Sequence, residues 1–239
     1  MQSARFLILS AITVLLCHPL CGSDKASRQT PRQALRAFND LIGSWRGIGT
    51  PEGTREEKQR GFWTETLTWE WQFKGEDAWL KVAFDKGKHF VAGELRYLPD
   101  KDLFQFTATT AGKETRTYTG PFKDKVLTLE GLDQVKGETQ RLTITLLHSN
   151  RFLYRYEIKP KARPLFTRLY QVGATKEGEA FAGPGNAQPE CIVSGGLGTI
   201  AVNYNGKTYH VCCSGCRSAF REDPEKYIKE AAAKKQPRP

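Results

Sequence analysis

The sequence predicts a mainly β fold: an antiparallel up-and-down barrel of about nine or ten strands with a short N-terminal helix, then a small ββα cysteine-rich C-terminal unit. Three observations carry this. Apolar and polar residues alternate with period two through the middle of the chain, most clearly where Leu67, Trp69, Trp71 and Phe73 interleave with Thr66, Thr68, Glu70 and Gln72. All five Trp lie between Trp45 and Trp79, in the first third of the chain. Four of the six Cys lie between Cys191 and Cys216, so the two parts are built on different principles.

The elements follow in order. Residues 1–23 read as an export signal, with Arg5 as the charged start, Phe6 to Leu16 as the apolar stretch and Leu20-Cys21-Gly22-Ser23 as the small-residue cleavage zone. That apolar stretch is shorter than the roughly 20 residues that span a bilayer, and no later segment reads as a membrane span. Cleavage near Ser23 and a periplasmic or secreted protein are expected. A lipid anchor on Cys17 or Cys21 is disfavoured because Leu16 and Leu20 precede them where a small residue is normal.

Thr30-Pro31 reads as an N-cap with proline at the first helical position, and Leu35, Phe38 and Leu41 recur at helical spacing. Strands are expected at Trp79–Phe84, His89–Leu98, Leu103–Thr110, Thr115–Gly120, Val126–Glu130, Arg141–His148, Phe152–Lys159 and Leu165–Val172, with no helical pattern between them. Turn signals such as Lys86-Gly87-Lys88, Pro99-Asp100-Lys101 and Ser149-Asn150 separate several of them. The barrel domain is thus expected over 31–172. A linker without periodicity, rich in Gly, Ala and Pro, follows over 173–190, then the cysteine unit over 191–230 and a basic tail over 231–239. The linker allows either loose tethering or docking.

The net charge is +10, yet Lys and Arg are scattered among acidic residues, which describes a solvated surface and not a nucleic-acid stripe. No paired His and carboxylate, nucleophile motif or phosphate loop is present, so no enzyme is expected.

Gly43-Ser-Trp-Arg-Gly-Ile-Gly49 resembles the GxWxGxG opening of nitrobindin-like barrels, relatives in shape of the lipocalins. Glycines there let the first strand bend, and Trp45 closes a barrel end by packing. The resemblance implies haem held by a histidine on a late strand. Leu165–Val172 contains none, so haem is not expected, and His89 and His148 read as packing or surface residues. A small apolar ligand in the barrel is an open expectation.

In the last unit Asn205-Gly206 joins two apolar runs, the strongest short hairpin signal, and Asp223-Pro224 starts a terminal helix containing Tyr227 and Ile228. A Cys, twenty residues, a Cys, three residues and a Cys, followed by Phe220 and Asp223-Pro-Glu-Lys-Tyr227, resemble the YHS or TRASH module of metal-handling proteins. Cys191 is followed by Ile-Val-Ser where many relatives have a second early Cys or a Pro.

The residues point the same way without the resemblance. A unit of about 40 residues does not hold itself together by apolar burial alone, so a metal, a disulfide or docking must contribute. Cys212 and Cys216 share a face if a helix starts by Cys212, whereas Cys213 and Cys216 have knuckle spacing; either pair can join Cys191. Soft thiolates select Cu(I) or Zn(II), with Cys213 or His210 as fourth ligand. A disulfide framework and a redox-active Cys213-x-x-Cys216 pair are the other readings. The expectation is an exported soft-metal-binding protein, with the metal ion and a metal-handling envelope protein as partners. The alternative is a ligand-binding barrel with a structural disulfide unit.

Overall fold

The computed structural model describes residues 29–178 and 189–235; the expected export signal, the centre of the linker and the last residues of the basic tail lie outside them. The chain opens with α1 (Pro31–Leu35), where Thr30 and Gln33 form a capping box: Gln33 N donates to Thr30 Oγ1 at 3.3 Å and Thr30 N to Gln33 Oε1 at 2.9 Å. The helix tightens into a 3₁₀ segment, Arg36–Leu41, and then becomes sheet.

The strands are β1 (Gly43–Pro51), β2 (Trp63–Lys74), β3 (Asp77–Asp85), β4 (Phe90–Leu98), β5 (Leu103–Thr110), β6 (Thr115–Gly120), the two-residue β7 (Phe122–Lys123), β8 (Val126–Asp133), β9 (Glu138–His148), β10 (Arg151–Pro160) and β11 (Thr167–Lys176). Sequence neighbours from β1 to β6 and from β7 to β11 pair antiparallel, β1 also pairs β11, and β6 meets β8 through Thr119 and Glu130. That last contact closes a ten-stranded barrel with β7 lying beside β8. Closure leaves no long free edge within the ring.

Beyond shifts of up to three residues at other strand ends, two details differ from the expectation. A helix, α2 (Arg55–Gly61), interrupts the meander between β1 and β2, started by a capping box in which Thr54 N donates to Glu57 Oε2 at 2.7 Å. Its Thr-x-x-Glu signature stands in the sequence without any apolar periodicity behind it. The last strand starts at Thr167, not Leu165, and runs past Val172 to Lys176, because Gly173 to Lys176 pair with Ile48 to Trp45.

The interior is filled by side chains. Trp45, Leu67, Trp69, Trp71, Leu80, Leu95, Phe106, Tyr118 and Phe152 are fully buried. One end is plugged by the N-terminal segment: Phe38 packs 5.1 Å from Phe104 and 4.6 Å from Phe122 between ring centroids, and Trp45 Nε1 donates to Leu41 O at 2.7 Å. Burying an aromatic of this size contributes about 2 kcal/mol.

The other end carries polar groups inside the wall. Glu65, only 3% exposed, accepts from Trp63 Nε1 at 3.0 Å and from the Tyr154 hydroxyl. Arg116 Nη1 lies 3.3 Å from the Tyr156 hydroxyl, and Tyr118 OH donates to Gln140 Oε1 at 3.1 Å. His89 stacks flat on Tyr170, 3.9 Å between centroids, and Trp63 stands edge-on to both rings.

Burial, and then the Lys88 ammonium, lower the His89 pKa to about 4. The unfolded chain therefore takes up a proton first as pH falls. The stability that neutral His89 contributes is complete above its unfolded value of about 6.5 and is lost as pH drops toward the folded one. The urea midpoint is expected to fall between about pH 7 and about pH 5, and His89→Phe, which keeps the stack, should remove part of that fall. An identical fall in the variant would assign the effect to other groups.

The C-terminal unit is a hairpin, β12 (Ile200–Tyr204) and β13 (Lys207–Val211), followed by α3 (Ser214–Glu222) and α4 (Pro224–Lys235). Asn205 and Gly206 take positive φ, 47° and 73°, as a two-residue hairpin turn requires. Phe220 packs against Tyr209 and Tyr204, and Lys226 N donates to Asp223 Oδ1 at 3.1 Å, capping α4. No helix among the described residues is long and apolar enough to cross a membrane.

Candidate metal centre

Two short backbone pieces bring the cysteines together. The first is the turn from Cys191 to Gly196, closed by Cys191 N to Gly196 O at 2.6 Å and Gly195 N to Cys191 O at 2.8 Å, with Gly195 at φ 78°. Ile192 N donates to His210 O at 2.9 Å, which fixes this turn beside β13. The second piece is the knuckle between β13 and α3, where Cys212 and Cys213 precede the helix and Cys216 sits in its first turn.

The Sγ atoms of Cys191, Cys212 and Cys216 all lie within 4.8 Å of one another. Cys212 Sγ is 3.4 Å from Cys216 Sγ and 3.8 Å from Cys213 Sγ. A tetrahedral zinc ion with Zn–S bonds of about 2.3 Å needs sulfurs about 3.8 Å apart, so the spacing suits an ion at the centre. All four cysteines are free thiols, and Cys191, Cys213 and Cys216 are buried. The Cys212–Cys216 separation is far longer than the roughly 2.05 Å of a disulfide bond.

The four sulfurs share protons unequally. Hydrogen bonds from Cys212 and then Cys216 hold Cys191 and Cys213 well below the ordinary thiol range. Interaction with Cys191 and then Cys213 pushes Cys212 up, and burial pushes Cys216 up. The contacts among the four sulfurs thus favour the thiolate at Cys191 and Cys213 and disfavour it at Cys212 and Cys216.

The structure gathers Cys191, Cys212 and Cys216 most tightly, places Cys213 beside Cys212, and leaves the His210 imidazole outside the group. His210 contributes its carbonyl to the Cys191 turn instead. His89 and His148 belong to the barrel, distant in sequence from every cysteine of the group.

Several contributors are not evident from the cysteine spacing. Ser194 is fully buried; its N–H donates to Cys191 Sγ at 3.4 Å and its hydroxyl lies 3.4 Å from Cys212 Sγ. It stands three residues after Cys191, as Cys216 stands after Cys213, and that repeated spacing was its only mark in the sequence. Asn39 Nδ2 donates to Ser194 O at 3.2 Å and its Oδ1 accepts from Trp71 Nε1 at 3.1 Å, linking the Cys191 turn to the barrel. The Trp71 main-chain N–H donates to Cys213 Sγ at 3.4 Å, and Ser214 Oγ donates to Glu70 Oε1 at 2.8 Å.

Charged groups complete the docking. Lys226 Nζ meets Glu76 Oε1 at 2.6 Å, and Arg32 pairs with Glu230 while its guanidinium lies 5.5 Å from the Tyr227 ring centroid. These exposed or half-exposed pairs orient more than they stabilise.

Comparison with protein families finds the YHS domain at residues 200–231, which covers the hairpin, Cys212, Cys213, Cys216 and most of α4. The chain therefore carries a C-terminal YHS domain behind a closed β-barrel, and Cys191 enters the cluster from just outside the matched segment. No curated protein matches the chain. The YHS domain and the cysteine cluster together suggest a bound metal ion.

Proposed function

We propose that this chain is an exported, non-catalytic protein that binds one soft transition-metal ion, Cu(I) or Zn(II), through Cys191, Cys212 and Cys216, with Cys213 as the fourth ligand, and acts in metal handling or sensing. The observation that carries the reading is the mutual approach of three Sγ atoms within 4.8 Å, with a fourth sulfur beside Cys212. Thiolate-rich donor sets favour Cu(I) and Zn(II) over magnesium or calcium. Non-catalytic binding is supported by the character of the donor set: catalytic zinc sites keep an open position for water, whereas structural and storage sites are closed by sulfur. Any metal present would also join two backbone pieces of a very small unit and so stabilise its fold.

Elemental analysis of protein purified under reducing, anaerobic conditions should find one equivalent of metal per chain. Cys191→Ser, Cys212→Ser and Cys216→Ser should each lose most of it, and Cys213→Ser should retain binding with reduced affinity, because water can replace a fourth ligand. Absence of metal together with two protected disulfides would contradict the reading and favour a structural disulfide unit.

Export is supported by the order of charged start, apolar stretch and small-residue zone at the N-terminus. Intact mass of the native protein should correspond to a chain beginning near Asp24. A mass that includes Met1 to Leu20 would exclude processing there.

A further inference from the structure

We infer that the metal site is shared between the two parts of the chain: the Trp71 main-chain N–H of the barrel positions Cys213 for the ion, and metal loading in turn tightens the YHS unit on the barrel. This rests on the reading of the cysteines as metal ligands.

The geometry begins with an unpaired stretch of strand edge. β1 covers β2 only as far as the Gly43–Trp69 pair, so β2 continues past its neighbour and exposes its next main-chain groups on that side. The start of α3 covers them. Trp71 N donates to Cys213 Sγ at 3.4 Å, and a Cβ built on Gly215 would stand 1.6 Å from Trp71 O, so helix and strand touch backbone to backbone. Only glycine permits that approach.

The Cys191 turn refers to the same residue by a second route. The Trp71 indole N–H binds Asn39, which binds the Ser194 carbonyl, and Gly196 packs on the Asn39 side chain, where an added Cβ would meet Cγ at 2.9 Å. Cys191 and Cys213 are thus separated in sequence yet each is positioned from Trp71, one through its side chain and one through its main chain. The barrel sets the distance between the two ligand-bearing pieces.

Hydrogen bonds that orient metal ligands typically change metal affinity by about 10- to 100-fold when removed. A donor on a thiolate is charge-assisted and therefore among the stronger cases. By linkage, if docking raises affinity for the ion, the ion raises the stability of docking by the same factor.

The test uses the reduced full chain and Zn(II) in competition with a chelator. Gly215→Ala, which forces α3 off the Trp71 carbonyl, should weaken zinc binding by about tenfold or more. Ser214→Ala, which loses only the Glu70 contact, should fall between that variant and wild type. Arg217→Ala, on an exposed position of the same helix, should bind as wild type does. Circular dichroism and Trp emission must remain those of a folded barrel in every variant. Hydrogen exchange at the Trp71 amide gives a readout independent of affinity: zinc should slow it in wild type and have a smaller effect in Gly215→Ala. Wild-type affinity in a folded Gly215→Ala, or a Trp71 amide indifferent to zinc, would overturn the shared site while leaving the cysteine ligands intact. Failure of wild type itself to bind zinc or another soft ion would remove the underlying reading.

Discussion

Trp71 is where the barrel and the YHS unit meet, and it is used three times. Its indole N–H reaches Asn39 of the plugging segment, its main-chain N–H reaches Cys213 Sγ, and its carbonyl faces Gly215. A fully buried main-chain donor or acceptor left without a partner costs about 1–3 kcal/mol, so an uncovered β2 edge would be a liability in the folded chain. The fold meets that need with the helix start that carries the cysteines. One constraint therefore links completion of the sheet edge, placement of α3 and the position of a sulfur. The N-terminal segment has a related double role, because the residues that plug the barrel with Phe38 also present Asn39 to the Cys191 turn.

Electrostatics at the cysteines supplies the second half of the account. Four sulfurs are drawn together in a largely buried space, where N–H donors from Ser194 and Trp71 reach Cys191 and Cys213 and favour their thiolate forms. A soft cation would neutralise thiolates gathered there, at spacings close to those its coordination sphere requires. At the far end of the barrel the polar groups are differently arranged: the buried Glu65 carboxylate accepts from Trp63 and Tyr154, and the part-exposed Arg116 guanidinium reaches both Tyr156 and the exposed Glu114. Those polar groups and the cysteine cluster lie at opposite ends of β2, since Glu65 is near its start and Trp71 near its finish.

The barrel was legible because a half-buried antiparallel strand writes its register as alternation, and Leu67, Trp69 and Trp71 do so plainly. The cysteine spacing and Asn205-Gly206 likewise marked the C-terminal hairpin and knuckle. What was hidden had physical reasons. Gly173-Ala-Thr-Lys176 extends the last strand through main-chain pairing with β1, and such small or polar residues leave no periodic trace. α2 is short and polar, with only its capping box to announce it. The tyrosines of the far end, Tyr154, Tyr156 and Tyr170, occupy ordinary inward positions, and only three-dimensional proximity makes them a network. The docking of the YHS unit depends on a main-chain N–H and a glycine's missing side chain, neither of which a sequence displays as a motif.

X-ray absorption at the edge of the bound metal, recorded on reduced full-length protein, tests the central claim most directly. The account predicts a first shell of sulfur only, at about 2.3 Å if the ion is zinc, with three to four scatterers. A shell dominated by nitrogen or oxygen would contradict a site built from Cys191, Cys212, Cys213 and Cys216.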